Sequence, residues 1–388
     1  MKKLILSILF LAIAYISVAQ TLDDLEFGTD TTFEVVTWNI EWFPKNGQTT
    51  VNYVKEIIEN LDIDLLAIQE VDDVDAFQTM VEGIAGYEAF YESSYFAGLA
   101  YIYNTNTIVI NDIYEIYTTY PYWSPFPRSP VVIELTFMGE SFVVINNHFK
   151  CCGDGYLNLS DEDDEEYRRL EASSLLKEYI DFYMPNNRVI VVGDLNDILT
   201  DNTSNNVFQP FLDDSDNFEF ADMTIAEGSS SGWSYPSWPS HLDHVLITDE
   251  MFNEMDNAGS AIEVIKIDEY LSGGWSTYDT NISDHRPVGL KIKPELGTGI
   301  NIETISDINL QIFPNPFKDV TNVFFSTAID NSEMEIYNIK GKKVYSIEIP
   351  AGEKSVIWNA EGFPKGIYFA KILTDNSTVV VTKLVLTK

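Results

Sequence analysis

Leu99 to Phe149 reads LAYIYNTNTIVINDIYEIYTTYPYWSPFPRSPVVIELTFMGESFVVINNHF. Four apolar, β-branched and aromatic runs follow one another here: Leu99–Tyr103, Thr107–Ile116, Val131–Phe137 and Ser141–Phe149. Turn residues separate them, and no helical period intervenes. Strands joined so closely pair as hairpins, which excludes an all-parallel sheet built from βαβ units. On either side the pattern changes. Phe33–Trp42 predicts a strand, Val51–Asn60 a helix with Val54, Ile57 and Ile58 on one face, Leu65–Val71 a buried strand, and Val74–Ile84 a second helix. Further on, about Glu165–Phe182 predicts a long amphipathic helix and Arg188–Val192 a short apolar strand, while Val245–Thr248 and Pro287–Ile292 supply late strands. Helices covering packed, mixed sheets account for both features: a layered α+β domain.

The chain around this stretch has 388 residues, 45% hydrophobic and 13% aromatic, which is ample for a packed core and excludes a disordered chain. Lys2 and Lys3 precede an apolar run, Leu4 to Val18, and Ser17-Val18-Ala19 offers small residues for cleavage. That predicts a signal peptide, residues 1–19, leaving Gln20 first, with no cysteine near the cut to accept a lipid anchor. No second apolar run reaches the ~18 residues a membrane-spanning helix requires. Pro and Gly break the pattern again at Lys293–Glu303 (KPELGTGINIE), so a first domain is expected over 20–297, a linker over 298–307 and a second domain over 308–388. In that tail, short β runs alternate with the turn signals NPF, IKGK, PAGE, FPKG and TDNS, the pattern of a small β-sandwich.

Charge is distributed unevenly. There are 23 basic and 61 acidic residues, net −38. From Ile302 onward there are nine Lys and ten acidic residues, so residues 21–301 carry net −39. A protein that coats DNA by neutralising phosphates with Lys and Arg is excluded, whereas an enzyme that meets phosphate through a metal is not. Two cysteines are too few for a disulfide scaffold or a Cys-rich zinc site.

Polar, metal-competent residues recur at strand ends: Asn39 and Glu41 in WNIEW, Glu70 in IQEV, His148 in NNHFK, Asp194 and Asn196 in VVGDLND, Asp243 in HLDHV, and Asp284 and His285 in SDHRP. A carboxylate or amide there is costly to desolvate without a partner. Each motif alone reads as a turn or cap. Six of them over about 250 residues resemble the endonuclease/exonuclease/phosphatase superfamily.

The resemblance implies a four-layer α/β/β/α sandwich with its site at one end of the paired sheets, and metal-dependent cleavage of phosphoester bonds. It implies Glu70 as main metal ligand, with Asn39 and Asp284 beside it. Hard oxygen donors suit Mg²⁺, with Mn²⁺ as a substitute. His148 and His285 would exchange protons, with Asp243 orienting His285. Asp194 would help activate water, Asn196 would bind a phosphate oxygen, and Arg128, in FPRSP, would clamp phosphate. His148 also argues against the abasic-site branch, which lacks that histidine. The expected activity is a secreted nuclease acting as a monomer on extracellular DNA or RNA. A phosphodiesterase or phosphatase for lipid head groups or small esters, and a non-catalytic binding protein on the same scaffold, are the alternatives.

Other segments carry weaker signals. Cys151-Cys152 beside NNHFK could close a vicinal disulfide, which is favoured over free thiols. Asp161–Glu166, six consecutive acids, reads as a solvated loop and helix start; a structural Ca²⁺ site is the sharper alternative, although the EF-hand spacing is absent. Trp233, Tyr235 and Trp238 in SSGWSYPSWP offer rings for bases or for packing. His241 and His244 read as ordinary loop residues. The tail, through Ile312–Pro316 (IFPNP), Glu335–Gly341 (EIYNIKG), Gly366-Ile367-Tyr368 and Val381–Leu384 (VTKL), resembles the type A sorting domain of the type IX (Por) secretion system. That implies handling by the type IX machinery after export to the periplasm, then release or surface attachment.

Overall fold

The computed structural model describes residues 20–91, 97–294, 310–325, 331–338, 342–374 and 377–387. The signal peptide and linker expected at 1–19 and 298–307 lie outside the described residues. The chain divides into two compact units, residues 1–295 and 296–388.

The first unit holds two six-stranded sheets. In chain order its strands are β1 (Phe33–Phe43), β2 (Leu65–Val71), β3 (Tyr87–Phe90), β4 (Gly98–Asn104), β5 (Ile108–Glu115), β6 (Val131–Phe137), β7 (Glu140–His148), β8 (Val189–Asp194), β9 (Phe218–Phe220), β10 (Asp243–Thr248), β11 (Ala261–Val264) and β12 (Val288–Ile292). One sheet runs β11-β12-β1-β2-β4-β3 and the other β5-β6-β7-β8-β10-β9. The hairpins expected between Leu99 and Phe149 form at β5-β6-β7, whereas β4 turns back to pair with β2 in the opposite sheet. Each sheet contains one parallel pair, β1–β2 and β7–β8. Each pair is bridged by a crossover helix, α1 (Gln48–Leu61) in the first sheet and α3 (Glu165–Tyr183) in the second; α2 (Val74–Glu82) follows β2.

Alternation along the strands makes the layers. In β1, Phe33 and Val35 face the second sheet, where they meet Ile133, Val144 and Val192, while Val36, Trp38 and Ile40 face Val54, Ile57 and Ile58 of α1 and Phe77 of α2. On the far side, Val143, Val189 and Val191 pack on Ala172, Leu176 and Ile180 of α3. The order is α/β/β/α. The inward stripe of α3 continues as Glu166, Arg169 and Ser173, all buried, so this helix is apolar inside only over its C-terminal half.

Among its described residues the second unit contains seven strands, β13 (Leu310–Phe313), β14 (Val320–Phe325), β15 (Ser332–Asn338), β16 (Lys343–Ile349), β17 (Ser355–Asn359), β18 (Gly366–Thr374) and β19 (Ser377–Leu386). They form sheets ordered β13-β14-β17 and β16-β15-β18-β19. Val323 and Trp358 from one sheet and Met334, Ile336, Ala370 and Leu384 from the other share its core. This is the expected β-sandwich. No helix among the described residues is long and apolar enough to cross a membrane.

Candidate active site

The two parallel pairs deliver polar side chains to one edge of the sandwich. Asn39 pairs with Gln69 across β1–β2, and His148 with Asp194 across β7–β8, while Asp243 of β10 sits opposite Asp194. Beneath them a buried amide pair ties the sheets together. Gln69 Nε2 donates to Asn146 Oδ1 at 2.8 Å, and Asn146 Nδ2 donates to the carbonyls of Ile68 and Ala100, both at 3.0 Å. Gly193 makes the close approach of β7 and β8 feasible: its φ is +149°, and a Cβ there would stand 2.0 Å from the Asn147 carbonyl oxygen.

Asn39 is the central connector. Its Nδ2 donates to Glu70 Oε1 at 3.2 Å and to Asp194 Oδ2 at 3.0 Å, and its Oδ1 accepts from the Glu41 amide at 2.9 Å. Glu70 adopts φ +66°, where β2 breaks register, and its Oε2 accepts from the Trp42 amide at 3.0 Å. An unfavourable backbone conformation at a charged cleft residue marks a locally over-determined position. His148 Nε2 lies 3.8 Å from Glu70 Oε1 and 3.6 Å from Asp194 Oδ2. Opposite, His285 Nδ1 is 2.8 Å from Asp243 Oδ2, and its Nε2 is 3.8 Å from Asp194 and 3.9 Å from Asp284 Oδ1.

The loop that carries His285 is tightly held. Ser283 Oγ donates to the Asn39 carbonyl at 2.6 Å and accepts from the His285 amide at 2.9 Å; Tyr278 OH donates to the His285 carbonyl at 2.6 Å. Arg286 grips Asp268 with two bonds of 2.8 and 2.7 Å.

The two cleft histidines differ in charge. Burial alone would push His285 down, but Asp243 and Asp194 outweigh it and raise it to about 10. Burial pushes His148 well below its ordinary value, and the positive charges of Arg128 and His285 add to the effect. Burial also lifts Asp194 to about 7, against the pull of His285. Glu41 rises to about 7, through burial first and with Asp284 adding to it, against its ion pair with Lys45.

These groups open into a cleft of about 860 Å³. Asn39, Glu70, His148, Asp194, Asn196, Asp284 and His285 line it, and Asp243 lies fully buried behind His285. Arg128 is not among the lining residues: its Nε donates to the Ala97 carbonyl at 3.3 Å, and its charge reaches His148.

Sequence reasoning missed three features. Glu41, quoted within its motif, was assigned no role, yet its carboxylate accepts from the Asp284 amide at 2.8 Å on the cleft wall. Tyr235 leans on His285 with ring centroids 4.7 Å apart and the ring planes tilted by 37°. His241 lies in the loop before β10, as expected, but His244 lies within β10, and the two are buried around Asp222, with His244 Nδ1 at 2.6 Å and His241 Nε2 at 3.0 Å from Asp222 Oδ2. His244 faces acceptors from both ring nitrogens, since Nε2 meets the Asp197 carbonyl at 2.8 Å. Their partner, Asp222, stands some twenty residues upstream, which hid the pair. The thiols of Cys151 and Cys152 are free, with Sγ atoms 2.9 Å apart, well beyond a bond of about 2.05 Å. The expected vicinal disulfide is not formed in this structure.

A family model described as the Endonuclease/Exonuclease/phosphatase family matches residues 36–285, and one described as a Secretion system C-terminal sorting domain matches residues 311–387. The latter marks the chain for type IX export to the cell surface or extracellular space. Among solved structures, the chain is similar to D. rerio TDP2 complexed with a single-strand DNA product, at 12% identity and TM-score 0.51 over 68% of this chain and 100% of that one. Humanized D. rerio TDP2 matches at 12% identity and TM-score 0.50 over 68% and 99%. The endonuclease/exonuclease/phosphatase from Bacteroides vulgatus matches at 15% identity and TM-score 0.49 over 69% and 100%. At these identities the likeness is one of fold. No curated protein matches the sequence.

Proposed function

The chain belongs to the endonuclease/exonuclease/phosphatase family, and from that membership we propose that it is an exported, divalent-metal-dependent phosphodiesterase that hydrolyses extracellular nucleic acid. The observation that carries this reading is the convergence of Asn39, Glu70, His148, Asp194 and the His285–Asp243 pair on one cleft. The donor set fits Mg²⁺, or Mn²⁺ in its place: carboxylate oxygens and an amide, among carboxylates buried deeply enough that Asp194 and Glu41 are raised to about 7. Glu70, Asn39 and Asp284 would hold the ion, which when bound neutralises charge on the phosphate oxygens.

The protein's own groups divide the remaining work. The Asn39 amide and the Trp42 N–H fix both oxygens of Glu70. Asp194, made more basic by burial, takes the proton of the attacking water. Asp243 holds Nδ1 of His285, so that the charged ring offers its Nε2 proton to a phosphate oxygen. His148, kept neutral, presents Nε2 between Glu70 and Asp194 on the leaving-group side. Asn196, with φ +55° and its amide on Asp194 Oδ1, binds a phosphate oxygen, and Arg128 contributes positive potential.

Rings along the cleft favour a nucleic acid. Trp42 is 46% and Trp238 79% exposed, and both line the cleft together with Trp233 and Tyr235. Each stacked base would contribute about 1–3 kcal/mol. One observation favours a second reading, a lipid head group or small phosphate ester: the net −39 of residues 21–301 repels a long polyanion. The purified chain, offered plasmid DNA, RNA, sphingomyelin and a small diester with Mg²⁺, decides between them. Cleavage of either nucleic acid is the expected result. Cleavage of lipid or ester alone transfers the site to the second reading, and no cleavage with any divalent metal contradicts both.

A further inference from the structure

We propose that Asp154, Asp164 and Glu166 form a structural Ca²⁺ site, on the wall of the same cleft but apart from the Glu70–Asp194 group, that fixes the loop after His148 against the first turn of α3. One carboxylate oxygen from each residue lies within 4.8 Å of the other two. Oxygens sharing a Ca²⁺ at about 2.4 Å are separated by at most twice that bond length.

An exposed acidic cluster would need no ion. Glu166 is not exposed. It is 1% accessible, and its Oε2 has no hydrogen-bond partner in the structure. The other oxygen, Oε1, accepts from the Gly155 amide at 2.7 Å and lies 3.1 Å from Arg169 Nη2. A buried carboxylate oxygen without a partner is costly, and two neighbouring carboxylates add repulsion. A cation between the three relieves both.

The backbone orients the set. The Tyr156 amide donates to Asp154 Oδ1 at 3.0 Å, and the Tyr167 and Asn158 amides donate to Asp164 Oδ2 at 2.8 and 3.2 Å. Gly153 has φ +103°, and a Cβ there would sit 2.3 Å from Glu166 Oε1 and 2.6 Å from Oε2. The loop backbone therefore closes directly over the carboxylate.

The ligand chemistry selects calcium. All three donors are hard carboxylates, without nitrogen or sulfur: Asp154 on an irregular loop exposed to water, Asp164 capping α3 and Glu166 in its first turn. Ca²⁺ accepts six to eight ligands in flexible geometry, whereas Mg²⁺ requires a near-regular octahedron. The site also connects to the cleft. Arg169, beside Glu166, donates to the carbonyls of Lys150 and Cys152 at 2.8 and 2.9 Å and to Asp197 at 2.8 Å. An ion that orders Glu166 thus steadies the chain just past both His148 and Asp194.

The test uses the full chain, stripped of metal and returned to saturating Mg²⁺ so that the cleft is supplied, with Ca²⁺ then added alone. Isothermal titration should show one Ca²⁺ bound per chain, and the melting temperature should rise. Glu70→Gln should keep that rise, while Asp154→Asn and Glu166→Gln should lose it, with affinity reduced at least about tenfold. In EDTA, wild type and Asp154→Asn should melt alike, which separates loss of the ion from loss of the fold. Absence of a calcium-specific rise in wild type, its persistence in both loop variants, or its loss in Glu70→Gln would each overturn the proposal.

Discussion

His148 and His285 share one cleft, yet their surroundings drive them apart. Burial disfavours charge on both; only His285 has a carboxylate, Asp243, at 2.8 Å to reverse it. Titratable groups pushed in opposite directions within one site mark the division of acid and base roles. Asp243→Asn should therefore bring His285 down from about 10 toward its ordinary value, which a histidine NMR titration reads directly. The same substitution should lower kcat/KM by about 10²–10⁴-fold. Because the folded pKa of His285 is raised, the stability it contributes is complete below about 6.5 and is lost as pH climbs through about 10. Asp194 and Glu41 are raised too, but there the fold favours the neutral form. Their raised values mean that the unfolded carboxylates ionise near 4 while the folded ones hold protons to about 7, so metal-free stability falls as pH rises across that window. Melting curves with and without Mg²⁺ should show a larger gain from the ion at pH 8 than at pH 5; an equal gain at both would contradict it. Most of these residues were legible in the sequence because short motifs carry them at strand ends. Tyr235 and the Asp222–His241–His244 group were not, since their partners come from distant segments.

Among the elements, the strands seen first in the sequence are those with one long apolar run. Three edge strands, β3, β9 and β11, gave no such signal: they have three or four residues, and β3 and β11 contain no buried residue. Helix α3 was foreseen at nearly its full length, but its inner stripe was expected to be apolar. Its buried Glu166 and Arg169 are explained only by the loop that folds over them. The junction of β7 and β8 gives a test at this scale. Gly193→Ala would place a Cβ 2.0 Å from the Asn147 oxygen at φ +149°, forcing apart the strands that carry His148 and Asp194. The variant should lose at least about 1 kcal/mol of stability in chemical denaturation and most of its hydrolytic activity. Wild-type values for both would show that the spacing of this pair does not matter.

For the whole molecule, the charge distribution governs how substrate arrives. Residues 21–301 carry net −39, while the tail from Ile302 is nearly neutral. Binding through basic side chains weakens as salt rises. Here the long-range force on a polyanion is repulsive, and salt screens it over about 10 Å at 0.1 M. Initial rates on DNA at fixed Mg²⁺ should accordingly rise with added NaCl up to about 0.1 M rather than fall; a steady decline would reveal a basic contact surface that this account lacks. The central claim concerns the cleft itself, and hydrolysis of plasmid DNA by the full chain tests it most directly. Wild type is compared with Glu70→Ala in Mg²⁺ and in EDTA, after both are shown to be folded. The account predicts cleavage by wild type in Mg²⁺ alone, with none in EDTA and none by Glu70→Ala. Cleavage that survives EDTA or the loss of Glu70 would contradict it.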